Sequence, residues 1–174
     1  MPSPARRLSF DPIAEARRRW DERWTGGGPM AAATSIMRAQ QIVLGRMDEA
    51  LKPFELTFAR YEALVLLSFT KTGALPLGKM GERLMIHPTS VTNIVDRLEA
   101  QGYVSRLDHP TDRRTTLCEI TDAGRELMGR ASAAVIDIDV GISGLSADEV
   151  EELTTLLTKM RVDCGDFDTS GTDG

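Results

Sequence analysis

Apolar residues recur at helical spacing along most of the chain. Residues 11–24 (DPIAEARRRWDERW) predict a first helix that Asp11 caps, with Pro12 in a first-turn position. Gly26, Gly27, Gly28 and Pro29 predict its end and a flexible joint. Residues 31–51 follow as a long amphipathic helix with Ile36, Met37, Gln40, Val43, Leu44, Met47 and Leu51 on one side, broken at Pro53. Residues 57–70 carry Phe58, Tyr61, Leu64, Val65 and Phe69 on another helix; residues 73–76 read as a turn and residues 77–85 as a short helix. Within residues 87–102, Val91, Ile94, Val95 and Leu98 mark the inner face of a helix that Pro88 starts and Gly102 stops. The period then changes. Residues 103–107 (YVSRL) and 116–120 (TLCEI) alternate apolar and polar, which predicts a hairpin around the turn DHPTDRR. A helix from Thr121 and Asp122 to about Val140 comes next, then a break at residues 141–144. Ser146 and Glu149 form a capping box for a last helix to about Val162, with Val150, Leu153, Leu156, Leu157 and Met160 on one face. The pattern is mainly α with a small β-hairpin wing, and residues 77–102 have helix-turn-helix form.

The order of elements in residues 87–114 suits DNA. The inner apolar face leaves Thr89, Ser90, Thr92, Asn93, Asp96 and Arg97 outside, and hydroxyls, an amide and a guanidinium can read base edges or hold phosphates. An ordinary solvated helix face fits the same residues. The hairpin turn ends in Arg113 and Arg114, and an arginine on a rigid tip can enter a narrow minor groove. Asp112 beside them can orient an arginine through a carboxylate pair. A surface hairpin with incidental charges is the plain alternative.

Composition bounds the class. The chain has 174 residues, 41% hydrophobic and 27% charged, which fits one soluble domain. No apolar run approaches the roughly 20 residues that span a bilayer, and Arg6 and Arg7 precede no apolar segment of a secretory signal. Cys118 and Cys164 make no metal-spaced motif, so a cytoplasmic, reduced protein is expected, with no cofactor, no metal and no membrane partner. The net charge of −5 opposes DNA binding until it is mapped. From Ser146 onward there are eight acidic and two basic residues, leaving 19 basic against 18 acidic in the rest. DNA affinity must then come from local placement, and a dimer would double the phosphate contacts. The stripes on the first long helix and the last two exceed what one small winged-helix unit covers, which predicts packing against a second copy.

Four pieces together resemble the MarR family of bacterial transcriptional regulators: PLGKMGERL (residues 76–84), HPTSVTNIVDRLEAQG (87–102), YVSRLDHPTDRRTTLCEIT (103–121) and TDAGREL (121–127). The Asp-Arg-Arg wing tip and the Ile120-Thr121-x-x-Gly124 run after the second wing strand are its specific marks. The resemblance implies a winged helix-turn-helix with an α-helical dimerisation region. It divides the chain into an N-terminal extension (1–29) and a winged-helix domain (30–162), and the Gly- and Asp-rich composition of residues 163–174 predicts a disordered acidic tail. Within that domain the DNA-binding lobe covers about 57–121 and the dimerisation helices about 30–52 and 121–162. It also implies a homodimer on double-stranded DNA, a repressor more often than an activator, and a small-molecule effector, anionic or aromatic. By position, Thr89, Ser90, Thr92, Asn93 and Arg97 would face the major groove, Arg113 and Arg114 would serve the wing, and Asp112 would orient the arginine. The effector pocket would be bounded by residues 31–51, 57–70 and the helix after Thr121.

The extra helix before Gly26 is similar to that of the urate-responsive subgroup, in which a helix-borne tryptophan helps form the ligand site. This makes Trp20 and Trp24 candidates, with packing of the extension onto the core as the plain alternative. The subgroup has Asp where this chain has Glu62, a departure that leaves urate unassigned. Arg38, Arg46 and Arg60 are candidates for meeting an anionic ligand. Neither cysteine has a setting that lowers a thiol pKa; His87 reads as a helix-start residue and His109 as a wing residue. Phosphate loops, nucleophile elbows, HExxH and paired carboxylates in an apolar setting are lacking, so an enzyme is not expected. The competing reading is a winged-helix protein-interaction module without specific DNA binding.

Overall fold

A computed structural model describes residues 8–112 and 114–168. Helix α1 (Pro12–Asp21) is capped by Asp11, whose carboxylate accepts from the Ile13 N–H at 2.9 Å. It ends three residues before the sequence pattern suggests, in a turn where the Trp24 N–H donates to the Trp20 carbonyl. The glycine run is not a joint. Gly27, Gly28 and Pro29 are the first turn of α2 (Gly27–Leu51), and the Gly27 N–H donates to Asp21 Oδ1 at 3.1 Å, which ties the start of α2 to the end of α1.

At 25 residues α2 is far longer than the core it meets. Met47 and Leu51 are buried and Val43 partly so, whereas Ile36, Met37 and Leu44 of the same predicted stripe stay exposed, Met37 at 65%. After a short 3-10 turn (Lys52–Phe54), α3 (Phe58–Ser68) begins with the Phe58 N–H on Asp48 Oδ1 at 2.8 Å. Ala63, Leu64 and Leu67 bury its inner face.

Residues 74–76, read from sequence as part of a turn, form strand β1 (Ala74–Pro76). Three residues are too few to show alternation, and Pro76 argues against a strand; it is tolerated because β1 lies at the sheet edge. Helices α4 (Leu77–Leu84) and α5 (Pro88–Ala100) follow, then β2 (Val104–Asp108) and β3 (Thr116–Ile120). The sheet is antiparallel in the order β1-β3-β2, with Leu75 opposite Cys118 and Arg106 opposite Cys118 on the other side. The wing is therefore three-stranded at its root rather than a bare hairpin.

Helix α6 (Asp122–Ile136) is capped by Thr121, whose hydroxyl accepts from the Gly124 N–H and donates to the Gly102 carbonyl. It stops four residues short of the expected Val140, because Asp139 and Val140 turn left-handed at φ 50° and 53°. Leu127, Ala131 and Val135 join the core made by Leu51, Leu64, Leu67, Met80, Val91, Val95, Leu98 and Ile120. Residues up to Gly141 form one compact unit, and residues from Ile142 form a second. The second holds α7 (Ala147–Asp163), started by the Ser146–Glu149 capping box with both reciprocal bonds present. None of its residues is buried.

Candidate nucleic-acid interface

The helix with the exposed polar face is also firmly anchored. Val91, Val95 and Leu98 bury the inner face of α5, with Ile94 partly buried. Its start is capped by His87, whose Nδ1 accepts from the Thr89 N–H at 3.2 Å, and Pro88 fills the first position. Its end is a Schellman turn: the Gly102 N–H donates to Glu99 O, the Tyr103 N–H to Leu98 O, and Gly102 sits at φ 77°, where a Cβ would be strained. Across the helix-turn-helix, a Cβ on Gly81 would meet Val91 Cγ2 at 3.3 Å, so α4 and α5 cross in close contact.

The outer face carries the residues picked from sequence. Thr89, Ser90, Thr92, Asn93 and Arg97 are all exposed. Thr92 bonds back to the Pro88 carbonyl at 3.2 Å, and Thr89 Oγ1 lies 3.1 Å from His87 Nδ1. Asn93 and Arg97 line a cleft with Thr57 and Arg60 of the start of α3. Arg60 is held there by Gln101 at 3.2 Å.

Asp96 has a different part. Arg106 on β2 donates to Asp96 Oδ1 at 2.5 Å and to Glu99 Oε2, and its backbone N–H donates to Glu99 Oε1 at 3.0 Å. Partial burial works against the charged guanidinium, but the two carboxylates outweigh it and hold its pKa above the ordinary value. This clamp fixes the wing to α5. Periodicity does not reveal it, because it joins positions seven and ten residues apart on different elements.

The wing tip is closed by its own hydrogen bonds. The His109 N–H donates to Thr115 O at 3.2 Å and the Thr115 N–H to Asp112 O at 3.0 Å. Asp112 does not meet the Arg114 guanidinium: Oδ1 accepts from the Arg114 backbone N–H at 3.0 Å and Oδ2 from the Thr115 hydroxyl at 2.7 Å. Those bonds, the Thr115 hydroxyl first, lower its carboxyl pKa. The expected carboxylate–guanidinium pair is, for Arg114, a turn contact instead, because the backbone donors lie nearer. Arg114 is exposed, and Arg113 lies outside the described residues.

The ligand candidates are placed separately. Trp20 and Trp24 pack against each other in a tilted pair, centroids 5.0 Å apart with 57° between the ring planes, at 37% and 60% exposure, and Trp20 Nε1 donates to Thr25 O. They do not enter the core. Arg38 donates to Gln41 at 3.0 Å, and Arg46 to the Gly141 carbonyl at 2.9 Å. Glu62 is half-buried on α3, and burial raises its pKa. Nearby, Tyr61 and Ser132 join α3 to α6 through a 3.0 Å hydroxyl pair. Cys118 is buried against the sheet, its thiol pushed up to about 12 by burial, while Cys164 is exposed. Among the described residues no cluster of metal-ligating side chains occurs, and no helix is long and apolar enough to cross a membrane.

Comparison with known proteins agrees with this geometry. Residues 56–116 match the model of the MarR family. The chain is 30% identical over 133 residues to the HTH-type transcriptional regulator MhqR of Bacillus subtilis (strain 168), covering 76% of this chain and 90% of that protein. Among solved structures it is similar to Sco5413, a MarR family transcriptional regulator from Streptomyces coelicolor, at 53% identity and TM-score 0.76 over 82% of this chain and 99% of that one. It is also similar to a mutant MarR from E. coli complexed with operator DNA, at 26% identity and TM-score 0.68 over 74% and 91% of the two chains. A helix-turn-helix with an exposed polar face, a wing clamped to it and these likenesses lead to one conclusion: the chain belongs to the MarR family of DNA-binding transcriptional regulators.

Proposed function

We propose that two copies of the chain bind a pseudo-palindromic operator as a repressor, and that a small effector releases them. In this reading residues 57–121 form the DNA-binding lobe, and residues 30–52 and 121–162 supply the dimerisation helices. Thr89, Ser90, Thr92, Asn93 and Arg97 meet the major groove. Arg113 and Arg114 serve the minor groove from a tip whose turn Asp112 holds. The observation that carries the reading is the Arg106 clamp, which makes the exposed face of α5 and the wing one rigid reading surface. The dimer is supported by apolar residues left exposed in a single chain: Ile36, Met37 and Leu44 on α2, and Val150, Leu153, Leu156 and Met160 on α7. A twofold axis would set the two α5 helices about one DNA turn apart, ~34 Å.

The effector reading rests on Glu62, a half-buried carboxyl that makes no hydrogen bond or ion pair among the described residues. Trp20 and Trp24 with their aromatic faces and Arg38 and Arg46 with their charge are the further candidates for contact with an anionic or aromatic molecule. Its binding would favour a dimer whose lobes stand at a spacing unfit for DNA.

A gel shift with the DNA upstream of the chain's own gene tests the first part. A salt-sensitive, sequence-selective band that Arg97→Ala and Arg114→Ala weaken is expected. No such band would overturn the repressor reading. It would favour the protein-interaction module that the near-neutral charge outside the C-terminal segment also suits. A thermal-shift screen of urate, aromatic carboxylates, citrate-like acids and acyl-CoAs tests the second part. A compound that stabilises the protein yet leaves the band unchanged is not the effector.

A further inference from the structure

The two histidines of the chain share an unusual role. His87 caps α5 through Nδ1. His109 does the same for the wing turn: its Nδ1 lies 3.2 Å from the Asp112 N–H and 3.4 Å from the Thr111 N–H, both donors. A ring nitrogen that accepts carries no proton, so the neutral imidazole of His109 must hold its proton on Nε2. That N–H has no partner among the described residues. The ring lines a cleft of about 510 Å³ between the start of α4 and the turn at the tip of the wing, together with Gly78, Lys79, Glu82, Arg114 and Thr115.

The charges in this cleft are unequal. Lys79 Nζ donates to Glu82 Oε2 at 2.7 Å, which leaves two of its three N–H groups unused by that bond. Arg114 uses its backbone N–H on Asp112, and its guanidinium makes no hydrogen bond or ion pair among the described residues. Thr115 spends its hydroxyl proton on Asp112. Lys79 and Arg114 against Glu82 leave one net positive charge, which matches the single negative charge of a phosphodiester. The cleft adjoins the wing tip on one side and the helix-turn-helix on the other, so a duplex that meets both has its backbone beside it.

We propose that this cleft seats a phosphodiester of the DNA backbone, held by Lys79, the Arg114 guanidinium and the Nε2–H of His109. The proposal rests on the DNA-binding reading above and adds Lys79 and His109 to the residues that touch DNA. His109 then links two tasks: the nitrogen that closes the wing turn fixes which nitrogen offers a proton to the phosphate.

The test is fluorescence anisotropy of the full chain on a random-sequence duplex of about 30 base pairs, titrated with salt, because phosphate contacts dominate non-specific binding. Lys79→Gln is expected to weaken binding about tenfold for each bound copy and to flatten the plot of log affinity against log salt by about 0.9 per copy. His109→Asn keeps an acceptor in the place of Nδ1 but removes the outward N–H. It is expected to weaken binding several-fold with an unchanged melting temperature. Glu82→Gln, which frees Lys79, is expected to tighten binding. Lys52→Gln, in the 3-10 turn after α2 and outside the lining of the cleft, removes the same charge and is the control. Equal effects of Lys79→Gln and Lys52→Gln, with Arg97→Gln still weakening binding, would overturn the cleft as a contact and leave the DNA-binding reading standing. Failure of the unaltered chain to bind any duplex would overturn both.

Discussion

Gly124 sits where the wing meets α6, and one methyl group there should be felt throughout the lobe. A Cβ added to it would lie 2.1 Å from the Tyr103 carbonyl oxygen and 3.0 Å from both the Tyr103 carbonyl carbon and Ile120 Cγ1. The first contact is backbone, so no side chain can swing away; either β2 or the first turn of α6 must move. Such overpacking costs about 1–3 kcal/mol. Moving the Tyr103 carbonyl also breaks its 3.1 Å bond from the Thr121 N–H, about 1 kcal/mol more. Replacing a helical glycine by alanine returns about 0.5–1 kcal/mol. The net expectation for Gly124→Ala is a loss of about 2–3 kcal/mol, or a fall of roughly 5–10 °C in melting temperature for a chain of this size. Gly129 gives the control within the same helix. A Cβ there meets nothing within 4 Å, so Gly129→Ala should stabilise by about 0.5–1 kcal/mol. Thermal melts and urea titrations of both variants read the difference directly. A Gly124→Ala protein that melts at or above the unaltered chain would refute the close approach of wing and helix.

Other consequences follow from single groups. Arg106→Ala should cost only about 1 kcal/mol of stability, since solvent still screens its partly buried ion pairs, but should weaken operator binding about tenfold (~1.4 kcal/mol). That variant frees the wing and leaves the Asp96 and Glu99 carboxylates uncompensated; unchanged affinity in a gel shift would sink the clamp. For Glu62, burial raises the folded pKa above its ordinary 4.5, so protonation favours the folded state. The stability this gives is present below the unfolded pKa and lost as pH rises through the folded one. Glu62→Gln should therefore raise the melting temperature at pH 7, with the gain shrinking toward pH 4; a gain that grows in acid contradicts the desolvated carboxyl. With its thiol pushed up to about 12 inside the sheet, Cys118 should resist iodoacetamide at pH 8 while exposed Cys164 reacts. Mass spectrometry should find one alkylated cysteine in the folded chain and two after denaturation.

What was legible in the sequence is what depends on near neighbours. The inner face of α5, its Pro88 start, its Gly102 stop, the pairing of β2 with β3 and the Ser146 capping box are all set by near neighbours, and the structure keeps each of them, although β2 buries Val104 and then turns outward rather than alternating. Readings failed where a distant partner decides. Gly27 and Gly28 carry a breaker signature, yet Asp21 reaches back from α1 to take the Gly27 N–H and lets the helix start there. Strand β1 exists because β3 offers it a ladder, not because ALP resembles a strand. Asp96 looks like any outer-face carboxylate until Arg106, ten residues on, is folded beside it. His87 reads from the sequence as a helix-start residue and His109 as a wing residue, but the acceptor role of Nδ1 stays hidden because it depends on where neighbouring N–H groups point. The effector candidates were the least legible. Trp20, Arg38, Arg46 and Glu62 come from three helices and Trp24 from the turn after α1, and periodicity does not show that the two tryptophans pack tilted against each other outside the core.

The charge of the chain also has a mechanistic meaning. A domain that holds DNA by a broad basic surface binds every sequence tightly and gains little discrimination. Here the reading face of α5 is made of hydroxyls, one amide and Arg97, and Asp96 and Glu99, which would repel phosphate, are drawn to Arg106. The His109 imidazole, when neutral, adds a hydrogen-bond donor without adding charge. Such a surface has few cations to exchange for counterions, so its non-specific affinity should be low and its salt dependence shallow. Specific binding must then draw on base-edge contacts and on the doubling that a dimer provides. The near-neutrality that first counted against DNA binding thus becomes a reason to expect a high ratio of specific to non-specific affinity. That ratio, measured at one fixed salt concentration, separates a sequence reader from a domain that merely adheres to DNA.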